Sequence, residues 1–228
     1  MRIVAISDTH GLHNSVPIPD GDILIHAGDI TSTGKTHEVA AAAQWLKSLP
    51  HRHKIVVAGN HDWLFEKSPS EAAVLMRDAG ISYLQDSGIN IDGLSIYGSP
   101  WQPEFMQWAF NVPRGKLGKY WDQIPEGLDI LVTHGPPYGV LDQSIPDGLT
   151  KYALARDQQH SAGSEHVGDD ELLSAVQRAQ PRIHVFGHIH GGYGTTRTKR
   201  TTFYNVSICN EYYEPRNKPW TIDLIASP

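Results

Sequence analysis

The stretch Arg2–His10, RIVAISDTH, sets the fold because it joins an apolar run directly to polar side chains. Arg2–Ser7 is rich in β-branched residues and predicts a buried first strand. Asp8, Thr9 and His10 follow at once, where that strand would end. The same pattern recurs four times further along the chain. It predicts that several strands deliver polar residues to one edge of a sheet.

Each of the four later apolar runs is also followed by a polar segment. Because the carboxyl ends of strands in an open α/β sheet form one crevice, residues far apart in sequence can converge there. The runs and the residues that follow them are Asp22–His26 with Gly28 and Asp29, Lys54–Ala58 with Gly59, Asn60, His61 and Asp62, Asp129–Val132 with Thr133, His134 and Gly135, and Ile183–Phe186 with Gly187, His188, Ile189 and His190.

The elements between these strands predict an α/β fold in one domain spanning residues 1–228. Apolar residues at helical spacing predict helices over Thr36–Leu49 and Asp170–Ala179, and Ser68 is the expected N-cap of another helix. Strand, helix and strand in this order indicate a parallel sheet with right-handed crossovers. Asp92-Gly93 predicts a two-residue hairpin turn, and Tyr193–Val206 a second hairpin. We therefore expect two packed mixed sheets flanked by helices.

Composition excludes several classes of protein. The 228 residues are 39% hydrophobic and 19% charged with a net charge of −6, which argues against a disordered chain and a generic DNA-coating protein. The single cysteine excludes an internal disulfide. No apolar run is long enough for a transmembrane helix, and the N-terminus does not resemble a signal peptide, so a cytoplasmic protein without a membrane partner is expected.

Thirteen histidines indicate metal chemistry through nitrogen and oxygen ligands. Asp8 and His10, two positions apart on a segment expected to be extended, would point the same way. Seven candidate ligands are too many for one tetrahedral zinc and suit two divalent ions about 3.5–4 Å apart. The ligand types favour Mn, Fe, Zn, Co or Ni, with Mg also considered and Mn expected to support activity. The candidates are Asp8, His10, Asp29, Asn60, His134, His188 and His190.

The polar segments also carry a family resemblance. The order D-x-H, G-D, G-N-H-D, T-H-G and G-H-x-H, between residues 8 and 190, resembles the calcineurin-like metallophosphoesterases. Four further segments resemble a small single-domain phosphodiesterase subfamily: Gly98–Trp101 (GSPW), Trp108–Asn111 (WAFN), His134–Tyr138 (HGPPY) and His188–Gly194 (HIHGGYG). The resemblance implies an αββα sandwich that hydrolyses phosphate esters.

The resemblance also implies a role for each candidate residue. A hydroxide bridging two ions would attack phosphorus, His61 would protonate the leaving oxygen as general acid, and Asp62 would orient the His61 ring. The first ion would be held by Asp8, His10 and His190, the second by Asn60, His134 and His188, with Asp29 shared between them.

These observations lead to three functional hypotheses. The first is a hydrolase of small phosphoesters, with phosphodiesters including cyclic nucleotides preferred. The second is a nuclease of the same chemistry, which would need a basic, aromatic groove, and only Arg197–Arg200 offers a basic cluster, so nucleic acid is not the expected partner. The third is a non-catalytic, protein-binding scaffold on the same fold, which the presence of His61 and every ligand position disfavours.

Two regions leave alternatives open. Gln143–Glu165 departs from the subfamily as an insertion, and it is open to interpretation as a lid, a contact in a homodimer or a loop. The aromatic residues of Pro100–Gly115 either pin a long loop to the core or line the substrate pocket. Arg114, in the same stretch, is either an exposed side chain or a clamp for a phosphate.

Overall fold

The computed structural model describes residues 1–144 and 165–225, which form two large β-sheets with helices on their outer faces. The helices are α1 (Thr36–Ser48), α2 (Trp63–Lys67), α3 (Pro69–Asp78), α4 (Gly118–Trp121) and α5 (Asp170–Ala179). The strands are β1 (Arg2–Ile6), β2 (Ile23–Ala27), β3 (His53–Val57), β4 (Ser82–Tyr83), β5 (Ser87–Ile91), β6 (Leu94–Ser99), β7 (Gln102–Pro103), β8 (Asn111–Val112), β9 (Ile130–Thr133), β10 (Gln143–Ser144), β11 (Glu165–His166), β12 (Ile183–Phe186), β13 (Gly194–Arg197), β14 (Thr202–Asn205) and β15 (Trp220–Asp223).

The first sheet has the strand order β15-β1-β2-β3-β4. Strands β1 to β4 run parallel, and β15 pairs antiparallel with β1. Parallel neighbours need crossover connections, which α1 supplies between β2 and β3, and α2 with α3 between β3 and β4. The carboxyl ends of β1, β2 and β3 therefore lie at one edge, from which the segments carrying Asp8, Asp29 and Asn60 leave the sheet.

The second sheet has the order β13-β14-β12-β9-β6-β5. Its four inner strands are parallel, whereas β5 and β13 pair antiparallel with their neighbours. Asp92 and Gly93 connect β5 to β6 with φ angles of 49° and 86°, the positive values that a type I′ hairpin turn requires. The carboxyl ends of β9 and β12 lead directly to His134 and His188.

The two sheets pack face to face, and helices cover their outer sides. Alternate side chains of β2 enter different layers, because successive residues of a strand point to opposite faces. Leu24 packs in the cluster formed with α1 and α3, whereas Ile23 and Ile25 pack with Ile130 and Val132 of the second sheet. Helices α4 and α5 cover the far face of the second sheet. The predicted fold class, two mixed sheets flanked by helices, is confirmed.

The predicted elements are present with small shifts, one local prediction differs from the structure, and two short helices were not predicted. The Ser68 side chain makes no cap hydrogen bond at the start of α3. A side chain instead satisfies the backbone before α1, where the Glu38 carboxylate accepts a hydrogen bond from the backbone N–H of Lys35 at 2.9 Å. Helices α2 and α4 were not predicted, because four or five residues carry too little periodicity. The stretch Pro100–Gly115 is a long loop that contains the short strands β7 and β8.

The insertion predicted at Gln143–Glu165 is only partly described. Its two ends meet, because β10 pairs antiparallel with β11. Residues 145–164 lie outside the described residues, so the three interpretations of this segment stay predictions. Among the residues that the structure does describe, no helix has both the length and the apolar character needed to cross a membrane.

Asp169 connects α4 to α5 through hydrogen bonds, and its replacement is expected to lower the stability of the protein. Its carboxylate accepts from the backbone N–H groups of Glu171 and Leu172 at 3.2 Å and from the indole of Trp121 at 2.5 Å. We expect Asp169→Ala to lower the free energy of unfolding by about 1–3 kcal/mol, because it leaves these donors unpaired. Denaturant unfolding measures the change. Asp169→Asn, which keeps one acceptor oxygen, should lose less, and equal losses in both variants would contradict this explanation.

Candidate metal centre

The polar segments that follow the strands meet at one place in the folded chain. Nε2 of His10 lies 3.2 Å from Nε2 of His190, although 180 positions separate the two residues. Three overlapping groups of potential ligand atoms have members within 4.8 Å of one another: Asp8, His10 and His190; His10, Asp29 and His61; and Asp29, His134 and His188. All seven predicted ligands lie in or against these groups, and their assignment as ligands stays a prediction.

In the group formed by Asp8, His10 and His190, a carboxylate oxygen and two imidazole nitrogens face the same point. Nδ1 of His190 lies 2.8 Å from the backbone carbonyl of Asn210 and donates to it, so Nε2 carries the lone pair of a neutral ring. That lone pair faces Oδ1 of Asp8 at 3.5 Å and Nε2 of His10 at 3.2 Å. A cation bound between this carboxylate and the imidazole nitrogens would offset the cost of burying them together. The donor set therefore fits a divalent metal ion.

The second group repeats this arrangement. Nδ1 of His134 lies 3.0 Å from the carbonyl of Ala27, and Nε2 faces Oδ1 of Asn60 at 2.9 Å and Oδ2 of Asp29 at 3.5 Å. The ring of His188 lies 4.9 Å from that of His134 and completes the group. As in the first group, a backbone carbonyl fixes the imidazole so that its free nitrogen points inward. The residues present fit a second ion.

Asp29 lies between the two groups. Its Oδ2 is 3.5 Å from Nε2 of His134 and 3.9 Å from Nε2 of His10. The other oxygen, Oδ1, accepts from the backbone N–H of His61 at 2.8 Å, which fixes the orientation of the carboxylate. One oxygen therefore faces both groups, the position that a ligand shared between two ions would occupy.

Burial and charge shift the pKa values of these side chains in different directions. Burial alone would raise the pKa values of Asp8 and Asp29, but the neighbouring imidazoles outweigh it and hold both below their usual range. Burial lowers the pKa of His10 to about 4 and that of His188 to about 3. Burial acts against the charged form of His134 too, yet Asp29 raises its pKa to about 9. Ionised carboxylates and neutral imidazoles are the forms that bind metal ions, so an ion would displace the protons of His134 and of His190, whose pKa Asp8 likewise raises against the effect of burial.

Strained backbone brings several of these side chains inward. Asp8, His10, Asp29 and His188 have φ angles of 52°, 44°, 53° and 67°, in the left-handed region that residues other than glycine rarely adopt. The expectation that Asp8 and His10 lie on an extended segment is therefore wrong. The chain turns sharply after β1, held by hydrogen bonds from the N–H of Asp8 to Gly28 and from the N–H of His10 to Asp29. Strain of this kind concentrates at functional sites.

Comparison with known families agrees with this geometry. Residues 1–192 match the family model described as calcineurin-like phosphoesterase. The chain belongs to the calcineurin-like phosphoesterase family.

Relatives and solved structures extend the match over nearly the whole chain. The chain is 43% identical over 246 residues to human "Metallophosphoesterase domain-containing protein 1", covering 98% of this chain and 71% of that protein. It is 38% identical over 245 residues to "UPF0046 protein C25E10.12" of Caenorhabditis elegans, covering 100% and 82%. The crystal structure of TT1561 of Thermus thermophilus covers 97% of this chain and 98% of that one with a TM-score of 0.59, and at 14% identity it shows the fold alone.

Membership in the calcineurin-like phosphoesterases implies metal-dependent hydrolysis of phosphoesters, and members of the family normally bind divalent ions. His61, whose role as general acid stays a prediction, lies beside the two groups of predicted ligands. Its Nδ1 donates to the carbonyl of Ser32 at 2.8 Å, and its Nε2 lies 4.0 Å from Oδ2 of Asp29. The second ring nitrogen therefore faces the centre, and the ring stacks on Trp108 with centroids 4.2 Å apart.

Asp62 makes different contacts from those predicted. Its carboxylate accepts from the backbone N–H groups of Ile30, Thr31 and Gly59 at 2.9–3.2 Å and from the Thr31 hydroxyl at 2.6 Å. The expected contact with the His61 ring is replaced by the Ser32 carbonyl. Asp62 lies beneath the loops rather than beside the ring, because the buried N–H groups there need an acceptor. It connects the loop carrying Asn60 and His61 to the segment after Asp29.

Three residues that orient the predicted ligands or the predicted general acid His61 carry no signal in the sequence. Ser32 and Asn210 act through their backbone carbonyls, a role that any residue type can fill. The hydroxyl of Ser207 donates to Oδ2 of Asp8 at 2.8 Å across 199 positions of sequence. No local pattern can predict such contacts, because they exist only once the two sheets have packed together.

Ser207 provides a test of this orientation. We expect Ser207→Ala to weaken Mn²⁺ binding about 10-fold, because the Asp8 carboxylate loses one of the donors that direct it and keeps only those from Ser7 and the N–H of His188. Equilibrium dialysis with Mn²⁺ measures the affinity. Ser95→Ala, which removes a serine hydroxyl that contacts Asp129 instead, is the matched control. Unchanged affinity in Ser207→Ala would show that the hydroxyl does not help to position Asp8.

The centre opens into a cavity of about 410 Å³. Phe105 and Trp108 line it, whereas Phe110 is fully buried and Trp101 stacks on Tyr120 at 4.2 Å. Trp101 and Phe110 therefore attach the loop to the core, whereas Phe105 and Trp108 line the cavity, and the binding of substrate in this cavity stays a prediction.

Arg114 also lines the cavity, and its guanidinium donates to the backbone carbonyls of Val167 and Gly168 at 2.5 and 2.7 Å. It connects the aromatic loop to the segment after β11.

Proposed function

We propose that this calcineurin-like phosphoesterase is a dinuclear phosphodiesterase that acts on small diesters, including cyclic nucleotides, with Mn²⁺ as an ion that supports activity. The observation that carries the proposal is the pair of buried acceptor groups joined by Asp29, with His61 beside them at the floor of the cavity. Two divalent ions bound there would offset charge on phosphoryl oxygens and lower the pKa of water toward 7.

In this proposal the chain's own residues bind, orient and transfer a proton. His61 donates a proton from Nε2 to the leaving oxygen, while its Nδ1–H stays hydrogen-bonded to the Ser32 carbonyl. That carbonyl fixes which ring nitrogen faces the centre, and stacking on Trp108 holds the plane of the ring. The ligands of one ion would be Asp8, His10 and His190, those of the other Asn60, His134 and His188, with Asp29 shared.

The preference for small diesters is supported by the lining of the cavity. Its outer wall is largely apolar, with Arg114 and Glu104 as oppositely charged side chains. A diester, which carries one negative charge, suits this balance better than a dianionic monoester. The basic turn Arg197–Arg200 is not among the described residues that line the cavity, and the proposal therefore favours small diesters over a nucleic-acid strand. The homodimer and the cytoplasmic location stay predictions.

A phosphoester panel with metal analysis tests the proposal. We expect Mn²⁺-loaded protein to hydrolyse bis(4-nitrophenyl) phosphate, to lose this activity with a chelator and to regain it when Mn²⁺ is returned. The panel should contain monoesters, 2′,3′- and 3′,5′-cyclic nucleotides and single-stranded oligonucleotides. Turnover of monoesters above diesters would refute the diester preference, and absence of turnover with every divalent ion would refute the proposed enzyme.

A further inference from the structure

Two aromatic rings cover the histidines of the centre and also line the cavity. Trp108 stacks on His61, with centroids 4.2 Å apart and planes 28° apart. Tyr213 makes edge contacts with His10 at 4.8 Å and with His190 at 5.1 Å. The two rings come from loops about a hundred residues apart, and both contribute to the lining of the cavity.

Backbone hydrogen bonds connect each ring to a segment that carries a predicted ligand. The N–H of Ala109, next to Trp108, donates to the carbonyl of Asn60 at 3.2 Å. The N–H of Tyr213 donates at 2.9 Å to the carbonyl of Asn210, which also accepts from Nδ1 of His190 at 2.8 Å. The positions of the rings are therefore tied to the positions of the ligands.

Both loops contain residues whose backbone conformation is energetically unfavourable. Met106, Phe110 and Tyr213 have φ angles of 53°, 56° and 58°, unusual values for bulky side chains. An asparagine side chain secures each loop. Asn111 donates to two backbone carbonyls at 2.9 and 3.2 Å, and Asn210 accepts from two backbone N–H groups at 2.9 and 3.0 Å. Strain retained in two loops around one cavity indicates that the placement of their side chains matters.

Core packing does not account for the position of Tyr213. The residue is 51% exposed, and the ring contacts described for it are with His10, His61 and His190. A half-exposed aromatic ring at the wall of a cavity offers a flat face or edge to a ligand. The apolar neighbours Phe105 and Met106, which are also exposed, extend this wall.

We propose that Tyr213 and Trp108 form an aromatic clamp that holds a flat, unsaturated ring of the substrate next to the phosphoryl group. The inference rests on the proposed function, which places the phosphorus at the metal centre. Tyr213 acts here through its ring face and edge rather than its hydroxyl, and it determines specificity rather than reactivity. The clamp therefore selects diesters with an aromatic or heteroaromatic group over those with small alkyl groups.

Binding of two inert phosphinates tests the clamp without turnover. Diphenylphosphinate and dimethylphosphinate carry P–C bonds, so a phosphoesterase cannot hydrolyse them. Calorimetric titration into the Mn²⁺-loaded full chain should show Tyr213→Ala binding diphenylphosphinate about 10-fold more weakly than wild type, with dimethylphosphinate changed by less than about twofold. Tyr213→Phe should behave as wild type, and Trp108→Ala should resemble Tyr213→Ala. Tyr212→Ala is the matched control, since Tyr212 belongs to the same turn but is not among the residues lining the cavity.

Kinetics on two esters with the same leaving group complete the test. In Tyr213→Ala, the ratio of KM for 4-nitrophenyl methyl phosphate to KM for 4-nitrophenyl phenyl phosphate should fall about 10-fold relative to wild type, a change in specificity that a general disturbance of the centre would not produce. An unchanged preference for the phenyl compounds in Tyr213→Ala, or its loss in Tyr213→Phe, would overturn the clamp. If wild type hydrolyses neither ester, the proposed function fails. If it hydrolyses both and Tyr213→Ala retains the preference, only the clamp fails.

Discussion

His61→Ala is expected to lower kcat about 10²–10⁴-fold on a diester with an alkoxide leaving group, while both metal ions remain bound. The reason is the geometry of the ring, whose Nδ1 donates to the Ser32 carbonyl and whose Nε2 faces the centre. An alkoxide needs a proton as it leaves, whereas 4-nitrophenolate is a weak base and leaves without one. The defect should therefore be large for a cyclic nucleotide and small for bis(4-nitrophenyl) phosphate.

Metal content decides between two roles for His61, because His61 also forms a group of potential ligands with His10 and Asp29. Two ions per chain in His61→Ala, with a loss that depends on the leaving group, support a general acid. A fall in metal content, with an equal loss on every substrate, would assign His61 as a ligand instead. His37→Ala, which removes an exposed histidine from α1, is the control for loss of an imidazole away from the centre.

Asp29→Ala should abolish the paired site, since one carboxylate oxygen faces both groups of ligands. We expect the metal content to fall below two ions per chain and kcat/KM to fall by about 10³-fold or more, because each ion contributes several kcal/mol of charge stabilisation. Metal analysis by mass spectrometry and kinetics on a phosphodiester with excess Mn²⁺ measure the two effects.

A loss of stability must be separated from a loss of metal in Asp29→Ala. Asp129→Ala is the matched control, since Asp129 is another buried carboxylate but contacts Ser95 and Arg182. This control should lose stability while keeping both ions and kcat. Two ions and near-wild-type kcat/KM in Asp29→Ala would contradict a shared ligand, whatever its effect on unfolding.

Asp62 shows how a correct motif can suggest an incorrect contact. The G-N-H-D segment places Asp62 next to His61, and the resemblance implies that it orients the ring. The structure directs its carboxylate to the N–H groups of Ile30, Thr31 and Gly59 instead. Neighbours in sequence need not face each other, because the direction of a side chain depends on the turn that carries it.

The order of amino acids was enough to predict the main strands, their order along the chain and the types of residue that follow each of them. Short, continuous apolar runs are local properties, so β1, β2, β3, β9 and β12 could be predicted with bounds close to those observed. The polar residues after those strands could be predicted to converge, because the carboxyl ends of parallel strands share one edge.

The orientation of the predicted ligands and the nature of their surroundings depend instead on the packing of the whole chain. The left-handed turns at Asp8 and Asp29, the Asn210 carbonyl behind His190 and the ring of Tyr213 over the centre require contacts between segments far apart in sequence. Such contacts form through backbone atoms and loop conformations, which leave little trace in residue type. The residues available for the chemistry are thus a local property of the chain, whereas the distances and directions between them are a property of the packed sheets.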